Sequence, residues 1–271
     1  AGETMFKMTA TTLFTLVIAA GFYFDAGSAS EQAGSDITKN DSCVLCHSAL
    51  SKPSDQATRY LEWRMSAHAA NSVGCEKCHG GDPTGNNMKQ AHRGVFPPSN
   101  SDSRLNSSTV SETCGACHQA ISRSFVESAH YQKLKSSGMG PSCISCHGHM
   151  ASSVRRNGSE GEVLCTYCHN AANGLLPQRP DIPANSKATL DAIQRTRYVL
   201  NWINSLLTKA EERNIAVDSE KKEASSVKAA LEGSAIAWHT FNVKGVREMA
   251  DKTYIQAVEI RDRLEKKVGR D

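Results

Sequence analysis

Five copies of one short motif use every cysteine in the chain. Each copy reads C-x-x-C-H, in the forms CVLCH, CEKCH, CGACH, CISCH and CTYCH. The ten cysteines are Cys43, Cys46, Cys75, Cys78, Cys114, Cys117, Cys143, Cys146, Cys165 and Cys168. The histidines that end motifs 1 to 5, in chain order, are His47, His79, His118, His147 and His169. Because no cysteine is left over, one repeated chemistry has to explain all ten thiols.

The spacing C-x-x-C-H is the attachment signature of c-type haem. Two thiols add to the two vinyl groups of one haem, and the two intervening residues set the distance between those thiols. The histidine that follows presents its ring to the iron as the proximal axial ligand. We therefore expect five covalently bound haem c groups, with the five motif histidines on the irons.

Other uses of paired cysteines explain the pattern less well. A structural zinc site closes a tetrahedron of thiolates and imidazoles, which gives no reason for a histidine after every second cysteine. Thiol–disulfide redox motifs normally occur singly beside a βαβ pattern, and that pattern is absent from this sequence. A disulfide framework would not repeat the histidine either.

Five further histidines remain, one for each of the five irons that would need a sixth ligand. They are His68, His92, His130, His149 and His239. A lone histidine is more often a surface or hydrogen-bonded residue, but neutral imidazole binds iron well, so these five are the candidate distal ligands. His149 lies too close to His147 to reach over the same ring face, so we expect it on a different haem. Met65, Met139 and Met150 lie near motifs, and we interpret them as packing or exposed residues.

The first four motifs belong to a diverged internal repeat, over residues 41–98 and 112–149. In each unit an aromatic residue, Trp63 or Phe125, stands three positions before a Ser-Ala-His sequence. Each unit then has a second motif followed by glycine, and motif 5 comes after the second unit. The five-haem region thus covers residues 31–172. Within the two units, we expect residues 60–70 and 120–135 each to form a single helix.

The composition changes after the haem region. Residues 173–185 are rich in proline and predict a linker. Residues 186–268 contain no cysteine or proline, and their apolar residues recur at helical spacing with a turn near residues 214–219. This pattern predicts a helical hairpin, or three helices, packed on the haems. No alternating strand pattern occurs, so we expect a mainly α fold.

The haems themselves are expected to form the core of the haem region. After removal of a signal segment the chain has fewer than fifty residues for each haem. A conventional hydrophobic core cannot enclose five porphyrins with so little chain, so loops and short helices should surround stacked haems. The haem-free protein should then be largely unfolded.

The N-terminus predicts export from the cytoplasm. An apolar run at residues 9–24 follows Lys7, and small residues follow at 26–30. This pattern is typical of a secretory signal within residues 1–30, cleaved near Ala29. The alternative is a retained membrane anchor, but the run is shorter than the roughly 20 residues of a membrane span. Because covalent haem is attached outside the cytoplasm, we expect a periplasmic or extracellular protein.

The charge pattern excludes one class of partner. The formal net charge is +3, and each haem would add two propionates, so the sequence charge says little about the haem-loaded protein. Lysine and arginine are scattered, without the basic runs and interleaved aromatics of nucleic-acid sites. The expected partners are redox proteins, above all other multihaem cytochromes, and a homo-oligomer or filament stays open.

The order of the motifs resembles a known superfamily. C-x-x-C-H, aromatic-x-x-S-A-H, C-x-x-C-H-G-G-D-P, A-H-R-G…P-P-S and C-x-x-C-H follow one another over residues 41–169. This order is similar to that of multihaem cytochromes c in the group that contains the tetrahaem electron carrier of ammonia oxidisers. Pentahaem nitrite reductases and octahaem hydroxylamine oxidoreductases are distant members, and their C-terminal helices resemble the Trp-His tail of this chain. The resemblance implies haems in stacked and T-shaped pairs and fast electron transfer along the row.

Two departures from those enzymes favour an electron carrier. The nitrite reductases carry lysine in place of the motif histidine at the active haem, whereas all five motifs here end in histidine. The hydroxylamine enzymes have three more haems and a cross-linking tyrosine, a role that nothing gives to Tyr254. The leading hypothesis is periplasmic or extracellular electron transfer through five bis-histidine haems.

Three alternatives remain open from the sequence. One is an enzyme that acts on hydroxylamine or a small nitrogen or sulfur oxyanion at one open haem, with Arg93, Arg123 or Arg155 near the anion. Another is a subunit of a haem-lined extracellular filament or conduit. The third is a membrane-bound, quinol-linked donor that retains residues 1–30.

Overall fold

The structure is a computed structural model, and it describes part of the chain. The described residues are 40–50, 55–148, 150, 157–172 and 179–269. The expected signal segment, residues 1–30, and the candidate ligand His149 lie outside them, so both stay predictions.

Short helices joined by turns make up the haem region. They are α1 (Ser42–Ser48), α2 (Asp55–Arg64), α3 (Ala67–Ala70), α4 (Cys75–His79), α5 (Met88–Ala91), α6 (Val110–Gly115), α7 (Gln119–Val126), α8 (Ala129–Ser137), α9 (Cys143–His147) and α10 (Gly158–Thr166). The longest of these, α2, has ten residues. Isolated helices of this length are marginal in water, so contacts outside each helix must stabilise them.

Three long helices follow and form a bundle. They are α11 (Asp181–Glu212), α12 (Asp218–Ala237) and α13 (Val243–Val268), with a 3-10 turn at Trp238–Thr240 before the last helix. The first and third run parallel, because Thr189 contacts the Val243 carbonyl and Thr196 contacts the Ala250 carbonyl seven residues further along both helices. α12 runs antiparallel to both. Of the two expected arrangements, the chain adopts three helices. None of the described helices combines the length and apolar composition that a membrane crossing requires.

Apolar burial is concentrated in this bundle. Eighteen of the 25 buried apolar side chains lie in residues 190–268, and seven lie in residues 40–172. The second range contains more of the described residues, so its core is much poorer in apolar contacts. The mainly α architecture is confirmed, and the described residues contain no strand. The scarcity of buried apolar side chains in residues 40–172 is what a haem-filled core requires.

Two segments that the sequence predicts as single helices are each broken in two. Residues 60–70 are divided by Ser66, whose hydroxyl accepts a hydrogen bond from the Ala69 N–H at 3.3 Å. Residues 120–135 are divided by Ser128, whose hydroxyl accepts from the Tyr131 N–H at 3.1 Å. Each serine is an N-cap in extended conformation, which begins a new helix and changes the direction of the chain. The helical periodicity of these segments hides the break, because serine is also tolerated inside helices.

The last motif is attached to the bundle through α10. A β-carbon at Gly161 would overlap Leu190 of α11, so the two helices approach as closely as glycine permits. α11 itself begins at Asp181, inside the segment 173–185 that the sequence predicts as a linker. Pro183 does not prevent this, because N–H groups in the first helical turn have no intrahelical partner. The division into domains otherwise stays a prediction.

Replacing Ile203 with alanine should destabilise the bundle by about 2–5 kcal/mol, because the side chain is fully buried and its removal leaves a cavity. Thermal unfolding of the haem-loaded protein, followed by far-ultraviolet circular dichroism, measures the effect. Asn201→Ala on the exposed side of the same helix is the control and should change stability by less than about 0.5 kcal/mol. Equal melting curves for the two variants would contradict the packing described here.

Candidate haem sites

Helical turns bring the reactive side chains of a motif together. α4 and α9 each consist of one motif, from its first cysteine to its histidine. Residues at positions i, i+3 and i+4 of a helix share one face, so two thiols and one imidazole point the same way. The helix of motif 1 is capped by Asp41, whose carboxylate accepts from the Cys43 N–H at 2.8 Å. Ser142 and Ser145 form a reciprocal capping box on the helix of motif 4.

A glycine follows the histidine of motifs 2 and 4, and the backbone explains it. Gly80 has φ 75° and ψ −157°, and Gly148 has φ 74° and ψ −177°. This region of conformational space is essentially restricted to glycine. The chain therefore turns away directly after the ligand histidine, at equivalent points of the two repeat units. The glycine that the sequence repeat preserves is thus a conformational requirement.

Eight of the ten histidines form four pairs of facing rings. The ring centres lie 6.2 Å apart for His47–His92, 6.1 Å for His68–His118, 6.2 Å for His147–His239 and 6.0 Å for His130–His169. Each pair joins one motif histidine to one candidate distal histidine. We call the pairs sites 1, 3, 4 and 5, after the motif that contributes the proximal residue.

The ring separations agree with two imidazoles on opposite sides of one iron. A ring nitrogen binds a transition metal at about 2.0–2.1 Å and lies about 1.1 Å from its ring centre, so the two centres should be roughly 6.3 Å apart. Directly stacked rings without a metal would approach more closely. Among the described residues, no three histidine, cysteine or acidic side chains converge on one point as a metal site. Each pair would therefore offer two protein ligands to one iron, and this donor set fits haem, whose porphyrin would supply the other four.

Two of the distal histidines are also oriented as metal ligands usually are. Nδ1 of His92 lies 2.9 Å from the Met88 carbonyl, and Nδ1 of His239 lies 3.1 Å from the Ala235 carbonyl. A carbonyl only accepts, so Nδ1 donates the proton and Nε2 keeps its lone pair. Such a bond to the second ring nitrogen is the common pattern for histidines on metals.

Burial favours the neutral form of the paired rings. It lowers the pKa of His130 and of His239 below the ordinary histidine value, and the facing histidine lowers each further. A neutral imidazole has the free lone pair that iron binding requires. These two residues are therefore prepared for metal binding rather than for carrying charge.

The pairing links distant parts of the sequence in a regular way. The Ser-Ala-His histidine of each repeat unit faces the first motif that follows that unit: His68 faces motif 3, and His130 faces motif 5. His239 comes from the bundle and faces motif 4. His79 of motif 2 faces no other histidine ring within the described residues, and its candidate partner His149 lies outside them.

Three methionines near the motifs occupy other surroundings. Met65 is 87 % exposed and Met139 is 50 % exposed. Met150 is half-buried and packs against the small core of the haem region around Val44 and Trp63.

Each of the first four motifs adjoins the next one in the chain. Burial and the neighbouring His47 lower the pKa of His79, so motifs 1 and 2 adjoin. Burial and the Cys114 thiol raise the pKa of Cys78, which brings motif 3 next to motif 2. Motif 3 also contacts motif 4, because a hydrogen bond to Cys143, together with burial, raises the pKa of Cys114.

Phe241 connects site 4 to site 5. Its ring centre lies 4.3 Å from that of His130, with the rings 75° apart. Phe241 also follows His239 by two residues. The short turn that contains the candidate distal ligand of site 4, His239, therefore also contacts that of site 5, His130. The sequence pattern does not single out Phe241, and the one available signal is its place beside a candidate ligand in a turn.

The haem-region sequence matches one family. A sequence model of the family described as cytochrome c554 and c-prime matches residues 24–80. No solved structure is significantly similar to the chain.

Curated relatives extend the similarity. The C-type polyheme cytochrome OmcB of Geobacter sulfurreducens, found in two strains, is 27% identical over 239 residues, which cover 66% of this chain and 32% of OmcB. The C-type polyheme cytochrome OmcC of the same species is 28% identical over 149 residues, or 52% of this chain and 18% of OmcC. The chain thus spans about a third or less of the length of these relatives.

The expected resemblance is confirmed at the level of protein class. A family match at the first two motifs and similarity to polyhaem cytochromes over much of the chain agree with the attachment motifs. We conclude that this chain is a multihaem c-type cytochrome with covalently bound haem c.

Proposed function

We propose that this protein is an exported electron carrier that holds five haems, each between two histidines. The observation that supports this most directly is the set of four histidine pairs with ring centres 6.0–6.2 Å apart. An iron with two protein ligands has no open position for a substrate, and it changes its oxidation state with little movement of its ligands. Similarity to polyhaem cytochromes supports the same function.

The fifth pair is assigned by elimination. His79 and His149 are the two histidines left when the four observed pairs are removed. His147 already faces His239, which agrees with the expectation that His149 serves a haem other than its neighbour's. We therefore propose His79 and His149 as the ligands of site 2.

The bound haems supply one-electron chemistry, and the chain's own residues supply the route. The ligand histidines hold neighbouring sites at short range, in the order 1, 2, 3, 4 and 5. The Cys114–Cys143 thiol contact joins the middle of this row, and Phe241 joins its end. Because motifs 1 to 4 adjoin in order and Phe241 links site 4 to site 5, we propose that electrons pass along the chain in motif order.

The setting and partners follow from the same chemistry. Haem c is attached outside the cytoplasm, which supports a periplasmic or extracellular location and removal of residues 1–30. An exported carrier without a substrate site must exchange electrons with other redox proteins. We propose that these partners are multihaem cytochromes, as the relatives of the chain are.

Spectroscopy of the purified protein tests bis-histidine ligation at all five sites. We expect wholly low-spin ferric signals in electron paramagnetic resonance and no optical change when carbon monoxide is added to the reduced protein, because every iron has two strong-field ligands. Haem content measured by the pyridine haemochrome method should equal five per chain. A high-spin component that binds carbon monoxide would mean an open haem and would overturn the carrier proposal.

The enzyme alternative requires one open iron. Site 2 is the site to test for it, because its distal ligand, His149, is assigned by elimination alone. The enzyme alternative then requires carbon monoxide binding by a single haem, together with turnover of nitrite or hydroxylamine. A variant His149→Ala separates the cases, because it creates a high-spin haem only if His149 is a ligand.

A further inference from the structure

We propose that the chain tunes site 5 to a higher reduction potential than sites 1 and 4, which makes it the electron-accepting end of the row. This inference rests on the proposed function, because it takes His130 and His169 as iron ligands. The feature that distinguishes site 5 from sites 1 and 4 is that, within the described residues, neither of its Nδ1 atoms has a hydrogen-bond acceptor, and Phe241 packs against one of the two imidazoles.

The ring nitrogens of site 5 are buried and unpartnered. Within the described part of the chain, Nδ1 of His130 and Nδ1 of His169 have no hydrogen-bond partner. Sites 1 and 4 differ, because His92 and His239 each donate Nδ1–H to a backbone carbonyl. The Nδ1 atom of the distal histidine thus has an acceptor at sites 1 and 4, and at site 5 it has none among the described residues.

The position of each histidine along its helix causes this difference. His92 and His239 stand at the ends of helical turns, where the carbonyl four residues earlier, of Met88 or Ala235, is within reach. His130 is the second residue of α8, two positions after the N-cap Ser128, so no carbonyl of its own helix lies one turn before it. The Ser-Ala-His sequence at residues 128–130 therefore places a ligand histidine where no carbonyl of its own helix can accept a hydrogen bond from Nδ1–H.

Phe241 occupies the neighbourhood of His130. Its ring packs edge-to-face against the imidazole and lies 6.5 Å from the ring centre of Phe125, which is buried. The backbone of Phe241 has φ 57°, a left-handed conformation that is uncommon for a bulky residue. Strained residues of this kind persist where the surrounding structure holds them in place. An apolar ring is thus held where a polar group could have served as an acceptor.

The missing acceptor affects the potential in a definite direction. A metal-bound imidazole that donates Nδ1–H to an acceptor becomes a stronger electron donor, which favours ferric iron and lowers the potential. Burial in apolar surroundings raises the potential, because it disfavours the ferric form, which carries one more positive charge than the ferrous form. Arg179 near His169 adds no net charge, since it forms a two-bond ion pair with Asp181 at 2.8–2.9 Å. Both remaining effects raise the potential of site 5, and because burial also acts on His239 of site 4, the missing acceptor is the effect that separates these two sites.

The consequence for electron flow is simple. With haem bound, transfer of one electron from site 1 or site 4 to site 5 would oxidise the donor iron and reduce the acceptor iron, with no proton or group transferred. Electrons from sites 1 and 4 would therefore favour site 5, the end of the row beside the bundle. This end is where an accepting partner would take them.

Two substitutions of Phe241, which introduce side chains of nearly the same shape as each other, test the role of the acceptor. Phe241→Asn introduces an amide carbonyl, and asparagine tolerates the left-handed backbone. Phe241→Leu has a similar shape without an acceptor. Spectropotentiometric titration of the haem-loaded proteins measures the potentials, and His130→Met identifies the site 5 component, because a methionine ligand raises its potential. Electron paramagnetic resonance checks that both Phe241 variants stay low-spin.

We expect the wild-type site 5 component to be more oxidising than those of sites 1 and 4. Variants His92→Met and His239→Met identify those two components in the same way. Phe241→Asn should increase the ferric-to-ferrous ratio of site 5 about tenfold at a given ambient potential, a shift of about 59 mV for one electron. Phe241→Leu should shift it much less.

Three results would overturn the proposal, and one of them would also reject the ligand assignment. Equal shifts in the two Phe241 variants would mean that packing, not the acceptor, sets the potential. A wild-type site 5 component below those of sites 1 and 4 would reverse the order. If His130→Met moved no component, His130 would not be a ligand, and the proposed function would lose that site as well.

Discussion

Replacing His239 with alanine is expected to open one haem to carbon monoxide. His239 contributes a ring that faces His147, with ring centres 6.2 Å apart. Without it, the site 4 iron should become high-spin in the ferric protein. In the ferrous protein, about one fifth of the haem should bind carbon monoxide, since four bis-histidine sites stay closed. Optical titration with carbon monoxide measures this fraction directly.

The geometry of the pair identifies which haem has opened. The His147 and His239 rings are nearly parallel, at 15°, whereas the rings of the other three observed pairs are 52–67° apart. Parallel axial imidazoles give a rhombic low-spin signal in electron paramagnetic resonance, and crossed ones give a strongly anisotropic signal. His239→Ala should therefore remove the rhombic signal and leave the anisotropic signals in place.

A neighbouring substitution and a chemical rescue complete this experiment. Thr240→Ala changes the same 3-10 turn, where the hydroxyl donates to the Ala237 carbonyl at 2.8 Å, but removes no ring. It should stay low-spin and bind no carbon monoxide. Added imidazole should restore the low-spin state of His239→Ala. A fully low-spin His239→Ala protein, or an open haem in Thr240→Ala, would contradict the assignment of His239.

The sequence identifies the candidate ligands because their chemistry is local. The spacing of each motif is contained in five residues, and the number of remaining histidines matches the number of irons that the motifs predict. The pairing is not local: His239 meets His147 across 92 positions of sequence. No periodicity relates a bundle residue to a motif, so only the three-dimensional structure shows which rings face each other.

The helix boundaries show a second limit of sequence patterns. Ser66 and Ser128 lie in segments with helical periodicity, and the same hydroxyl either continues a helix at small cost or caps a new one. Contacts elsewhere decide the outcome, as the Trp63 indole shows when it donates to the Val73 carbonyl at 3.0 Å and joins α2 to the turn after α3. The repeated aromatic residue and Ser-Ala-His can therefore be recognised in the sequence, but the helix break at the serine cannot be predicted from it.

The haem-free chain should be folded in one part and unfolded in the other. Residues 181–268 form a bundle with its own buried core around Ile203, Ile260 and Leu264, and none of these contacts needs haem. Residues 40–172 have few buried apolar side chains, so loss of the haems removes their core. From the sequence we expect the whole haem-free protein to be largely unfolded. With the structure, we expect this only of the haem region.

Hydrogen exchange read by mass spectrometry distinguishes the two parts. Protein made in the cytoplasm without residues 1–30 carries no covalent haem and provides the sample. We expect slow exchange in peptides from α11, α12 and α13, and fast exchange throughout residues 40–172, because local protection follows buried contacts. In the haem-loaded protein both parts should be protected. Ile203→Ala in the haem-free chain should accelerate exchange in all three long helices together, since they share one core. Persistent protection of the motif helices without haem would mean that the polypeptide, not the haem, builds that region, and the interpretation of its sparse core would fail.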